Sequence, residues 1–212
     1  PPDYAAYVDQ LISDARAQAP LFTGRTVSTI FIGGGTPSLF SAAAYERLLN
    51  HIQKRSPLAT DIEITLEANP GTAEAIKFRG FRATGINRLS LGIQSFSDLQ
   101  LQKLGRIHDG NQARMSIEIA RQSGFENINL DLMHGLPDQE TEAAIEDLDI
   151  ALGYQPEHLS WYQLTIEPNT VFYRRPPPLP REEILNEIQD AGERLLQDSS
   201  LRRYEVSASP LA

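Results

Sequence analysis

Five apolar segments of this chain end in residues that a buried strand would not choose for packing. Gly33-Gly34-Gly35 follow Ile32, Glu67 follows Leu66, Gln94 follows Ile93, Asp131 interrupts Asn129-Leu130-Asp131-Leu132, and Thr165 follows Leu164. A carboxylate near the end of an apolar strand is costly to bury unless a cation or several donors meet it. Glu67 and Asp131 therefore either bind an ammonium group or a pair of hydroxyls, or form structural pairs with neighbours such as Arg88 or Arg106. The glycine run can present bare backbone N–H groups to the polar tail of a small ligand, or it can be a tight strand-to-helix turn that binds nothing. It has neither the lysine of a phosphate loop nor the spaced glycines of a dinucleotide turn, which weakens a reading as an enzyme with a phosphate-bearing cofactor. Arg106, in Lys103-Leu104-Gly105-Arg106-Ile107-His108, either clamps a carboxylate in bidentate fashion or lies solvated beside a helix end.

Other chemistries find less support. His51, His108, His134 and His158 show no metal-ligand spacing and read as structural or surface residues; His134, just past the fourth strand, has the best functional claim of the four. Ser95 and Ser160 have no paired histidine, which argues against a serine hydrolase. Trp161 and Tyr162 read as core or cavity wall. With no cysteine, these residues hold no disulfide, no cysteine nucleophile and no thiolate-bound zinc or iron–sulfur site.

The elements that must position the polar residues follow a repeating rhythm. Strands are predicted at Thr26–Ile32, ending near Glu67 after Asp61, at Gly85–Gln94, Phe125–Met133 and Leu159–Ile166, with a last one at Tyr204–Ala208. Between them lie helical patterns: Tyr4–Ala19, one capped by Ser41, Ala73–Ala83 after an Asn69–Thr72 turn, a short one from Asp98, Asn111–Ser123, and one capped by Thr141 running to Leu152. In the last of these Glu142, Glu146 and Asp147 are expected on the wet side. Arg181–Leu196 is a final helix, preceded by Arg175-Pro176-Pro177-Pro178-Leu179-Pro180, a stiff extended connector. The cadence of βα units predicts a parallel sheet with its binding side at the C-terminal strand ends, either a closing or partial barrel or an open doubly wound sheet.

The chain carries 28 acidic against 19 basic residues, a formal charge of −9. Nucleic acid is therefore not an expected partner, because phosphate binding wants a basic stripe. No apolar run approaches the roughly 20 residues of a membrane span, and no signal core opens the chain, so a cytoplasmic location is the default expectation. The start at Pro1 and the stop after a strand-like segment suggest a piece of a longer protein.

Four motifs taken together, Ile32-Gly33-Gly34-Gly35-Thr36-Pro37, Glu67-Ala68-Asn69-Pro70-Gly71, Leu91-Gly92-Ile93-Gln94-Ser95-Phe96 and Asn129-Leu130-Asp131-Leu132-Met133-His134-Gly135-Leu136-Pro137, resemble the radical S-adenosylmethionine (SAM) proteins of the oxygen-independent coproporphyrinogen III oxidase type. The stretch Leu159–Thr170 looks closer to the haem-chaperone branch of that group than to the oxidases. The resemblance implies an α/β fold, a partial (β/α)6 TIM-like barrel, here lacking its first strand and cluster loop. Residues 1–175 would be the barrel core and 176–212 a connector, helix and strand leading to a further domain. It implies SAM and a 4Fe–4S cluster as cofactors, the cluster's cysteines lying upstream of residue 1, and haem as a further ligand. By position, Gly34, Gly35 and Thr36 belong to the segment that meets the methionine amine. Glu67, Gln94, Arg106 and Asp131 match polar positions of the SAM pocket, and Thr165 matches a backbone contact to the adenosyl part. The partners implied are haem or a porphyrin, a haem-acceptor protein, a second copy of the chain at exposed barrel edges, and peripheral association with a membrane.

Overall fold

The computed structural model describes residues 3–71, 75–199, 201–204 and 208–210. In chain order the main elements are α1 (Tyr4–Gln18), β1 (Val27–Ile32), α2 (Ala42–Gln53), β2 (Leu58–Ala68), α3 (Phe78–Ala83), β3 (Arg88–Gln94) and α4 (Asp98–Lys103). They continue with α5 (Gly110–Gln122), β4 (Asn127–His134), α6 (Thr141–Gly153), β5 (His158–Gln163), α7 (Val171–Arg174), α8 (Glu182–Asp198) and β6 (Ala208–Pro210). The strands form one curled half-barrel sheet in sequence order, β1 to β5 parallel. A partial TIM-like barrel is therefore the fold, and the open doubly wound alternative falls away.

Two-residue periodicity explains how the sheet is built. Leu66, Leu89, Leu91, Ile93, Ile128, Leu130 and Leu132 all point to the convex side and are fully buried. Against them pack Phe78 and Phe81 of α3, Ile117 of α5, Leu148 of α6 and Ile188 of α8. Each such side chain contributes about 1.5–3 kcal/mol by leaving water, so the convex side carries most of the stability. The intervening residues, Glu63, Thr65 and Glu67 on β2 or Asn127, Asn129 and Asp131 on β4, face the concave side instead.

Several expectations are corrected at the element ends. Ser41 does cap α2, its hydroxyl accepting from Ala44 N–H at 3.2 Å. Thr141 does not cap α6: it is the first helical residue, the preceding Glu140 makes no side-chain cap, and the Thr141 hydroxyl reaches Glu187 on α8. The fifth strand stops at Gln163, its last ladder bond being Leu164 N–H to the His134 carbonyl at 2.9 Å. Of the helix expected over Ala73–Ala83, α3 covers the final six residues, and 72–74 lie outside the described residues. The last strand is Ala208–Pro210, where the sequence pattern places one at Tyr204–Ala208, and it pairs antiparallel with β5; 205–207 lie outside the described residues. Tyr204 N–H donates to the Ala208 carbonyl at 3.2 Å. Among the described residues no helix is long and apolar enough to cross a membrane.

Candidate functional site

The C-terminal ends of β1 to β5 enclose a polar cavity of about 200 Å³. Each strand supplies part of its wall: Gly35 and Pro37 after β1, Glu67 and Asn69 from β2 and its exit, Ser90, Gly92 and Gln94 from β3, Asp131 from β4 and Tyr162 from β5. Four of the five polar strand ends read from the sequence thus meet at one place. Parallel pairing places successive strand ends on one side of the sheet, and the register sets Glu67 beside Ser90 and Asp131 beside Ser160.

Glu67 organises the glycine turn. Its Oε2 accepts the Gly34 N–H at 3.0 Å, so that N–H is spent within the protein and is not offered to a ligand. A Cβ on Gly33 would stand 3.0 Å from the same carboxylate oxygen and 2.6 Å from the Phe31 ring, which is why glycine is needed there. Gly34 and Gly35 adopt φ of 86° and 60°, in the left-handed region glycine tolerates. The other Glu67 oxygen has no hydrogen-bond partner among the described residues.

Asp131 is held by neutral donors. Ser90 Oγ donates to one oxygen at 3.0 Å and Asn129 Nδ2 to the other at 2.7 Å. Burial raises its pKa; the bonds from Ser90, Asn129 and Ser160 oppose the rise, and the nearby Glu67 adds to it. No arginine pairs with Glu67 or Asp131 among the described residues. Arg88, one suggested partner, lies deeper in the sheet, 3.7 Å from Glu63 and 3.3 Å from the Thr65 hydroxyl. Neither carboxylate pairs with Arg88, because the pleat sets Arg88 level with Thr65 rather than with Glu67.

Gln94 has a φ of 68° at a break in the β3–β4 register. Its Oε1 accepts the Tyr162 hydroxyl at 2.8 Å. A Cβ on Gly92 would lie 3.1 Å from Gln94 Nε2 and 3.2 Å from Asn69 Oδ1, so the missing side chain at 92 makes room for both amides. Burial, Asp131 and Glu67 raise the Tyr162 pKa, while Gln94 and Arg106 lower it.

The remaining positions singled out from sequence lie apart from this wall. Gly34 and Thr36 line a larger hollow of about 700 Å³ on the far side of the glycine turn, with Tyr4, Tyr7 and Phe40. Arg106 is half-buried near enough to act on Tyr162 but does not line the cavity. Thr165 is exposed beyond the end of β5, its hydroxyl donating to Glu167 at 2.9 Å. His134 does not face the cavity: it is buried on the convex side against Trp161, ring centroids 4.2 Å apart, and burial lowers its pKa to about 4. Asn69, Ser90 and Gly92 were missed; Ser90 and Gly92 share Gln94's two-residue period and were legible on that ground. Asp147, expected on the wet face of α6, is 4% exposed.

The donor set suits a small zwitterionic ligand, with carboxylates for an amine or hydroxyls and an amide for an acceptor. It does not suit an iron–sulfur cluster: the chain has no cysteine, and no group of three potential metal ligands occurs among the described residues.

The sequence profile of the Radical SAM superfamily matches residues 5–148. The haem chaperone HemW of Escherichia coli strain K12 is 50% identical over 202 residues, 95% of this chain and 53% of its own length. That of Haemophilus influenzae is 50% identical over 206 residues, covering 95% and 54%. Among solved structures, the coproporphyrinogen III oxidase HemN of Escherichia coli, a radical SAM enzyme, matches with a TM-score of 0.87 at 28% identity, over 98% of this chain and 49% of that one. The chain spans about half the length of the curated relatives it matches. With the family profile covering well over half of its residues, and this fold, the chain belongs to the radical SAM superfamily.

Proposed function

We propose that the chain is the SAM-binding β/α layer of a haem chaperone that delivers haem to acceptor proteins. The observation that carries the reading is the convergence of Glu67, Gln94 and Asp131 on one polar cavity beside the glycine turn, in a chain 50% identical to HemW. Glu67 and Asp131 would receive the amine and ribose hydroxyls of SAM, and Gln94 Nε2 would donate to an acceptor on it. Arg106, half-buried beside Tyr162, would supply the cation for the methionine carboxylate; Gly34, Gly35, Thr36 and Thr165 would flank the two ends of the molecule. Bound SAM supplies a sulfonium that can be cleaved reductively when a 4Fe–4S cluster donates the electron. The residues present, which include no cysteine, do not hold that cluster.

In the same reading residues 1–175 are the ligand-holding core and 176–212 the connector, helix and strand. The setting is the cytoplasm; haem or a porphyrin, an acceptor protein, a second copy and the membrane surface are the partners. β1 has a strand on one side alone among the described residues, and a second copy would pair there. Oxidative decarboxylation of coproporphyrinogen III is the competing reading, favoured by the TM-score of 0.87 to HemN but disfavoured by 28% against 50% identity.

Two titrations test the reading. SAM added calorimetrically is expected to bind saturably. Haem added under reducing conditions is expected to give a shifted Soret band that decays when an apo-acceptor protein is supplied. Turnover of coproporphyrinogen under anaerobic, reducing conditions by a longer form that carries the cluster's cysteines, without haem transfer, would replace the chaperone by the oxidase.

A further inference from the structure

The sequence pattern sets Asp147 one position past the exposed stripe of α6. Glu142 and Glu146 are one turn apart and exposed, and the next residue rotates by about 100° toward Ala144, Leu148 and Ala151, which are buried. A carboxylate in that stripe must be met by donors. It meets two, both from the corner that follows Gln94: Ser95 Oγ donates to Oδ2 at 2.6 Å, and Phe96 N–H donates to Oδ1 at 2.7 Å. Ser95 is fully buried, and its Oγ in turn accepts the Ser97 N–H at 3.0 Å. The far side of the same corner is held by Arg114, whose guanidinium reaches the Phe96 carbonyl at 3.5 Å and lies 5.1 Å above the Phe96 ring.

That corner decides where Gln94 points. A residue other than glycine at φ 68° sits in a sparsely populated region and stays there when its neighbours over-determine it. With Ser95 and Phe96 clamped, the backbone of Gln94 has little freedom to relax, and its carboxamide lies over Gly92 with Oε1 committed to Tyr162. The Nε2 donors are then left beside Asn69 in the cavity.

We propose that Asp147 is a positioning residue for the ligand cavity: from outside the wall, its carboxylate holds the 95–97 corner and so fixes the Gln94 carboxamide with its N–H donors toward the ligand. The proposal rests on the reading of the cavity as a SAM site. It differs from a plain packing role because its effect on the ligand must pass through Gln94.

A double-mutant cycle separates the two, read by calorimetric titration of SAM into the full chain. Asp147→Ala and Gln94→Ala are each expected to weaken SAM by about tenfold, the size of one hydrogen bond to a charged ligand. The combined variant is expected to lose no more than Gln94→Ala alone, since one pathway is being cut twice. Asp147→Asn keeps an acceptor for Phe96 N–H and offers its amide to Ser95 Oγ, and is expected to restore affinity to within about threefold. If Asp147→Ala does not fold, Ser95→Ala replaces it in the same cycle, again with no added loss over Gln94→Ala. Additive losses, or full SAM affinity in the Asp147 and Ser95 variants, would overturn the positioning role and leave the SAM reading standing. Absence of saturable binding by the unaltered chain would overturn both.

Discussion

The two faces of the sheet are made from alternate residues of the same strands, yet they do opposite things. On the convex face Leu89, Leu91, Ile128 and Leu130 are fully buried under α3, α5 and α6. On the concave face Ser90, Asn129 and Asp131 bond to one another, Tyr162 donates to Gln94 and Glu67 accepts from the Gly34 N–H, and part of their capacity faces an open cavity. Apolar burial is non-directional and tolerates approximate fit, so it can carry stability. Hydrogen bonding is directional and costly when left incomplete, so it can carry selectivity. The comparison separates a face whose loss unfolds the protein from one whose loss empties it.

Cutting into the convex face should give the largest effect. Phe81→Ala removes a fully buried ring that packs edge-on to Tyr45, and unfolding by denaturant should show a loss of about 3–5 kcal/mol. A loss below about 1 kcal/mol would mean that the helical layer is not the stabilising one. Acid should reach this face through His134. Its folded pKa of about 4 lies below the ordinary 6.5, so between those values the unfolded chain binds more protons. Its contribution is therefore fully present above about pH 6.5 and falls as pH drops toward 4, by on the order of 3 kcal/mol. His134→Phe, stacking on Trp161 without a titrating nitrogen, should flatten that limb of a melting-temperature profile; an unchanged limb would assign it to other groups.

On the concave face, Glu67→Ala should weaken SAM by about ten- to a hundredfold, about 1.5–3 kcal/mol, while the denaturation midpoint barely moves. Equal losses in both measurements would erase the division between the faces. The smallest effect is expected at Gly92. An added methyl would press on Gln94 Nε2 at 3.1 Å and Asn69 Oδ1 at 3.2 Å, so Gly92→Ala should weaken SAM by about threefold with stability unchanged.

How legible each face was follows from how its residues are held. The convex core could be read directly, since Leu89, Leu91 and Ile93 or Leu130 and Leu132 repeat every second residue and leave one side for packing. The strand ends were legible too, because Glu67, Gln94 and Asp131 are conspicuous in apolar company. Partners were not. The tie of Glu67 to Gly34 spans 33 residues, that of Gln94 to Tyr162 spans 68, and that of Ser95 to Asp147 spans 52. His134, read as structural although its place at a strand end gave it the best functional claim of the histidines, is turned by the pleat toward Trp161 and away from Asp131.

By itself the sequence determined the parallel β/α architecture and the side of it on which polar groups gather, since both follow from local periodicity and the alternation of short loops with amphipathic helices. Tertiary structure alone decided which polar groups share a cavity, that the glycine turn is tied to Glu67, that Asp147 turns inward, and that the last strand runs antiparallel. Those outcomes depend on register, on the curl of the sheet and on contacts across tens of residues, and a linear pattern carries no information about distance.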